Sequence, residues 1–257
     1  MLAPLAASYA PVAAYLAASV GWLALARWRP SLWPAPAPLS TDRRFGDLAL
    51  ALLAVAGVAV LGQAYRLGFL IPTGRFGWWR HVAWTLDSLL IYSPVLITLS
   101  EHRGSWRTAF LSRERLAVKL AAGVALGAVA VATFLALRWS AARFPAALGA
   151  AVNIAGAAEF VPDFLRIVTI AFVFVRLRWA FGTRVTVLAL SLGFAVTRVP
   201  DRIVSGWPAP EIGALFVADA LLAAAVVAVG ARSEDVVWLG VVTYLLGAAK
   251  GAASGAM

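Results

Sequence analysis

Eight apolar stretches, separated by short arginine-rich interruptions, set the pattern of this chain. They lie near residues 5–26, 47–68, 82–100, 116–138, 156–177, 183–200, 210–230 and 235–255. About 20 mostly apolar residues, wound as a helix, cover roughly 30 Å of hydrocarbon, so the pattern predicts an all-α fold, a polytopic transmembrane helix bundle. The stretch 183–200 is short and 156–177 carries charge, which sets the expectation at seven to eight helices. No internal repeat divides the chain, and residues 1–257 are read as a single membrane-embedded domain.

Composition agrees with that pattern and excludes a soluble globule. Of the residues, 62% are hydrophobic and only 13% charged, and the mean hydropathy is +0.86; a water-soluble domain of this size needs more polar surface. The net charge of +10 would suit nucleic acid in a soluble protein, but here the arginines sit between apolar runs, as in loops held against an anionic leaflet. Nucleic acid is therefore not expected as a partner. There are no cysteines, so disulfides and thiolate chemistry are excluded. The first apolar run has no basic segment before it and is followed by Arg27, Arg29 and a proline-rich loop, so it is read as a retained helix rather than a signal peptide.

The loops carry aromatic anchors. Trp28, Trp33, Trp78, Trp79 and Trp106 stand beside arginines at the ends of apolar runs, where amphipathic rings favour the headgroup level. The third loop alternates charge with Trp106, Phe110, Leu111 and Leu116, which predicts a short amphipathic helix on the membrane, with Ser112 at a helix start. The odd-numbered loops hold twelve arginines (27, 29, 43, 44, 103, 107, 113, 115, 176, 178, 184, 232) against seven in the even ones (66, 75, 80, 138, 143, 198, 202). The bias places the odd loops in the cytoplasm and both termini outside, and high Ala, Arg and Trp usage with little Lys points to a bacterial cytoplasmic membrane. Gly123 and Gly127, and then Gly247, Gly251 and Gly255, repeat at four-residue spacing, which lets two backbones approach for internal packing or for a partner helix.

Ionisable groups inside apolar runs are costly and face a partner or a cavity. Asp87, Glu159, Asp163, Arg166, Arg198 and Asp219 are the candidates for an interior polar network. Asp163 and Arg166 are three apart and could pair on one helix; Asp219 has no local cation and is expected to meet Arg166 or Arg198. His81 and His102 are separated by about 30 Å of helix and cannot share a metal, and no metal or cofactor is predicted. Lys250 would suit a retinal Schiff base only with an acid one turn earlier, where Leu246 stands.

From about Phe110 to Gly251 the chain resembles the CPBP family of CAAX proteases and bacteriocin-processing membrane proteins, as a degenerate member. The family carries a Glu-Glu-x-x-x-Arg helix, a Phe-x-x-x-His helix and a His-x-x-x-Asn helix. With Arg166 on the motif arginine, Val161 and Pro162 take the paired-glutamate positions. Phe194 and Arg198 take those of the second motif, within FAVTRVP, and Tyr244 and Ala248 those of the third. The resemblance implies a bundle of about eight helices around a polar cavity, but every catalytic position except the arginine is replaced. Valine, proline and alanine supply no base, and an arginine stays protonated. Glu159 is two residues from the first glutamate position, about 200° around a helix.

These residues suggest a non-catalytic membrane protein, working as accessory subunit, assembly factor or scaffold for other membrane subunits. One alternative is an intramembrane hydrolase using Asp163 and Asp219 as a carboxylate pair. A second is a small transporter, which would need broken helices, hinted at by Pro94 and Pro162.

Overall fold

The computed structural model describes residues 2–30, 44–68, 77–101, 105–111, 114–138, 141–151 and 154–254. Trp33, His102, Ser112, Gly255, the side chains of Trp78 and Glu159, and the surroundings of Gly251 lie outside the described residues. Every regular element among those described is helical: α1 (Leu2–Trp28), α2 (Arg44–Arg66), α3 (Gly77–Ile91), α4 (Ser93–Glu101), α5 (Leu116–Leu137), α6 (Phe144–Ala151), α7 (Ile154–Phe181), α8 (Thr183–Thr197), α9 (Val199–Val204), α10 (Ala209–Ser233) and α11 (Val237–Ser254).

Four helices, α2, α5, α10 and the Tyr9–Trp28 part of α1, are long and apolar enough to cross a membrane. The α3–α4 pair makes a fifth if it crosses as one span. An integral membrane protein is what such helices imply. By length and composition alone four to five of the described helices qualify as spans, because charges interrupt α7 while α8 and α11 are short. Lipid-facing surface is plentiful: Leu53, Val60, Leu188 and Leu221 are all more than half exposed, an arrangement that suits hydrocarbon and not water.

The stretch near 82–100, expected as one helix, is broken at Tyr92, where α3 and α4 meet at 55°. Pro94 is the cause, since it has no N–H to give Leu90, four residues earlier. The Ser93 hydroxyl donates to the Leu90 carbonyl at 2.8 Å instead, so the freed oxygen is satisfied within the break. Gly57 of α2 lets the Pro94 ring approach, and a Cβ there would sit 3.0 Å from it.

The third loop also differs from expectation. In place of an amphipathic surface helix, Ser105–Ala109 forms a short 3-10 turn that docks inward, with Thr108, Ala109 and Phe110 buried. The reason is Arg176 of α7. Its guanidinium donates to the Thr108 carbonyl (3.1 Å), the Thr108 hydroxyl (3.0 Å) and the Phe172 carbonyl (3.0 Å), and lies over the Phe172 ring at 3.6 Å. Phe110, at φ 57, then turns the chain away from further helix.

Two apolar cores hold the bundle. Ala10, Ala14, Ala18 and Trp22 form one stripe of α1 and meet Leu126, Ala130 and Phe134 of α5 and Trp238, Val242 and Leu246 of α11. Alanines four apart bring the helices close, and Trp22 stacks on Trp238 at 6.1 Å. The second core joins Ala51 and Ala54 of α2, Val95 and Leu99 of α4, and Val168, Phe172 and Val175 of α7. Gly123 and Gly127 are used internally: a Cβ at either would strike Val241, Trp238 or Leu245 of α11.

Candidate functional site

The odd-numbered connections gather at one end of the bundle. Phe45 at the start of α2 meets Phe181 edge-on at 6.4 Å, Arg178 pairs with Glu234 at 2.6 Å, and the Val236 amide donates to the Phe110 carbonyl at 3.1 Å. Among the described residues three ion pairs lie at this end. Lys119 in the first turn of α5 and Asp235 in the α10–α11 connection form a buried ion pair, and Asp235 Oδ1 also accepts from the Val237 amide at 2.7 Å. Burial pushes the Asp235 carboxyl up, against the pull of Lys119 and of the Val237 and Trp238 amides. Arg107 and Glu114 close the third loop at 2.5 Å.

A second tier of charge lies far from that end. Arg166 precedes Gly182 by sixteen residues and Arg198 follows it by sixteen, each about 24 Å along its helix. Lys250 lies fifteen residues beyond Asp235, and Asp219 sixteen before it, which gives about 22 and 24 Å. Asp163 accepts from Arg166 at 2.7 Å, the side chains being 32% and 59% exposed. Asp163, Arg166 and Arg198 are all within electrostatic reach of Lys250. The hydroxyls of Tyr15 and Tyr92 both sense Asp163 and Arg166, and Tyr15 donates to Thr243 Oγ1 at 2.9 Å. The α3–α4 break at Tyr92 therefore borders this cluster.

Asp219, buried to 2% exposure, finds neither Arg166 nor Arg198 but Arg202, at 2.5 Å. Helix α9 brings this about: it continues the chain beyond Arg198 and returns Arg202 to α10, and no apolar run marks it in the sequence. Arg198 ends α8 exposed, over the Phe194 ring at 5.0 Å. Asp87 is fully buried in α3. Gly247 stands exposed beside Asp163, with 4.0 Å from its Cβ position to Oδ2. Of the expected anchors, Trp28 and Trp106 are exposed and Trp79 half-buried. The sites thus divide into the Asp163–Arg166 pair of α7, the Arg202–Asp219 pair beside Tyr9, and Asp87, buried in α3.

Three interactions escaped the reading of the sequence: Lys119–Asp235, Arg178–Glu234 and the Arg176 clasp on Thr108. Lys119 is one of two lysines in the chain and falls within an apolar run, which was the available signal. Among the described residues no three His, Asp or Glu side chains gather as a metal site would need. Tyr244, half-buried, meets Phe160 edge-on at 5.3 Å, and Phe160 stacks on Phe164, so the side of the cluster toward α7 and α11 is aromatic. Compared with protein-family models, with curated proteins and with solved structures, the chain matches none of them.

Proposed function

We propose that this protein is a non-catalytic membrane component, related to the CPBP family as a degenerate member, that acts by binding as accessory subunit, assembly factor or scaffold. The observation that carries the reading is the state of the two carboxylates a hydrolase would need. Asp163 is held by Arg166 and Asp219 by Arg202, in separate pairs on separate helices. A carboxylate engaged by a guanidinium is a poor base for activating water. The motif positions supply no base either: Arg166, Arg198 and Tyr244 stand there, with no histidine among them.

In this reading α1, α2, the α3–α4 pair, α5, α7, α8, α10 and α11 make eight crossings of a bacterial cytoplasmic membrane. The end holding Gly182 and residues 234–236 faces the cytoplasm, because the arginine excess lies there, and both termini face outward. Extraction from the native membrane in mild detergent tests the role. Co-purification of another membrane protein in fixed ratio is expected, and a lone monomer with hydrolytic activity that Asp163→Asn abolishes overturns it.

The 55° break beside Asp163–Arg166 favours a small transporter as second reading, since interrupted helices at ionisable groups form transport sites. Solute uptake into vesicles that Tyr92→Phe or Asp163→Asn removes would decide for it.

A further inference from the structure

We propose that α9 and Trp207 form a lipid-binding shelf in the plane of the membrane, just inside the leaflet opposite Gly182, with Ile203, Val204 and Trp207 against acyl chains. The inference goes beyond the binding role above and rests only on the placement of α8 and α10 across the bilayer. Local sequence makes the shelf. Pro200 has no N–H to continue the ladder of α8, so a new short helix starts there. Gly206, at φ 73, closes it. The Gly206 amide donates to the Ile203 carbonyl at 3.0 Å and the Trp207 amide to the Arg202 carbonyl at 3.1 Å, a paired cap that needs a residue at ease in the left-handed region. The two sides of the element differ. Arg202 turns inward and donates to Asp219 of α10 at 2.5 Å, with side chains 14% and 3% exposed. Val204 is 88% exposed and Ile203 61%, and Trp207 is exposed beside them.

Depth decides what covers the exposed side. Arg198, where α9 begins, lies sixteen residues beyond Gly182, and Asp219, which holds Arg202, lies sixteen before Asp235. Both intervals give about 24 Å of helix. Two separate helices thus hang α9 at one height, inside a hydrocarbon core of about 30 Å, and any tilt draws it deeper. At that level an exposed valine and isoleucine meet acyl chains and not water, while an indole stands at the headgroup boundary. Along the chain the element is flanked by Phe194 and Val196, exposed on α8, and by Val217 and Leu221, exposed on α10, so the shelf extends faces that lipid already covers. Six residues do not hold a helix by themselves. The buried Arg202–Asp219 pair is the tether that fixes this one to the bundle.

The chain has no cysteine, so one introduced cysteine carries one nitroxide. Full-length Val204→Cys and Leu221→Cys are labelled, reconstituted at low density into phosphatidylcholine–phosphatidylglycerol vesicles, and read by power saturation against oxygen, which partitions into lipid, and against a water-soluble nickel chelate. Oxygen is expected to relax both labels more than the chelate does, with the Val204 label within about 10 Å of the phosphate level. A Val204 label open to the chelate puts α9 in water, protection from both reagents puts protein over it, and dipolar broadening identifies a second copy; each of these overturns the proposal. Failure of both labels to favour oxygen removes the membrane placement itself, whereas Leu221 in lipid with Val204 outside it removes the shelf alone. Asp219→Asn, which takes the carboxylate from Arg202, is expected to narrow the Val204 spectrum as α9 loosens, while a label at Leu188, nearer the opposite end of α8, keeps its line shape. An unchanged Val204 line shape overturns the tethering role of the pair. The depth reading keeps the native Arg202–Asp219 pair, so a folding defect in Asp219→Asn does not decide it.

Discussion

Lys119 and Asp235 close on one another with side chains only 6% and 1% exposed, tying the first turn of α5 to the connection between α10 and α11. One of the chain's two lysines thus sits at the base of the α1–α5–α11 core. Breaking such a pair from one side leaves a charge buried and uncompensated, which costs about 3–5 kcal/mol. Lys119→Met is expected to lower the unfolding midpoint in detergent sharply, and Lys119→Met/Asp235→Leu to recover most of the loss. A single variant as stable as wild type would show the pair to be dispensable.

The same site has a pH signature. Burial raises the Asp235 carboxyl above its ordinary value, so the folded chain holds this proton more readily than the unfolded chain. The contribution to stability is full below the ordinary carboxylate range and is lost as pH rises through the folded value. Removing the Lys119 ammonium raises the carboxyl further. The deficit of Lys119→Met relative to wild type should therefore shrink on acidification, read as unfolding midpoints across pH; a deficit that grows would reverse the sign.

Gly123 and Gly127 hold α5 against α11. Gly127→Leu places a side chain where Leu245 stands, and Gly123→Leu one where Val241 and the Trp238 backbone stand; overpacking of this kind costs about 1–3 kcal/mol. Gly247→Ala, with only ordinary contact at 4.0 Å, is expected to be neutral. Thermal unfolding of the three variants side by side checks the order.

Pro94 sets the bend between α3 and α4. Pro94→Ala restores an N–H for the Leu90 carbonyl and should straighten the pair, increasing the distance between spin labels on α3 and α4. Ser93→Ala should weaken the protein by about 1 kcal/mol, because the Leu90 carbonyl then lacks its donor. An unchanged label distance in Pro94→Ala would mean that packing against Gly57, and not the proline, imposes the angle.

Helical class and the positions of most long helices were legible from apolar runs alone: the run at 116–138 is α5 (Leu116–Leu137), and that at 210–230 lies within α10 (Ala209–Ser233). The Asp163–Arg166 pair was legible too, since three residues on a helix bring two side chains to one face. The break at Tyr92 was only hinted at by Pro94, because hydropathy does not change across it. The inward docking of the third loop was not legible, because Arg176, sixty-eight residues away from Thr108 in sequence, supplies the hydrogen bonds that make it.

What the sequence determined by itself, then, is what depends on near neighbours: apolar length, helical periodicity, the proline, and charge pairs within one turn. The tertiary structure decided which charge meets which across helices. Asp219 meets Arg202 because short α9 swings the chain back, and Lys119 meets Asp235 because the α10–α11 connection crosses the foot of α5. An ion pair between helices depends on where each helix ends and how it leans, and these are set by packing over the whole bundle.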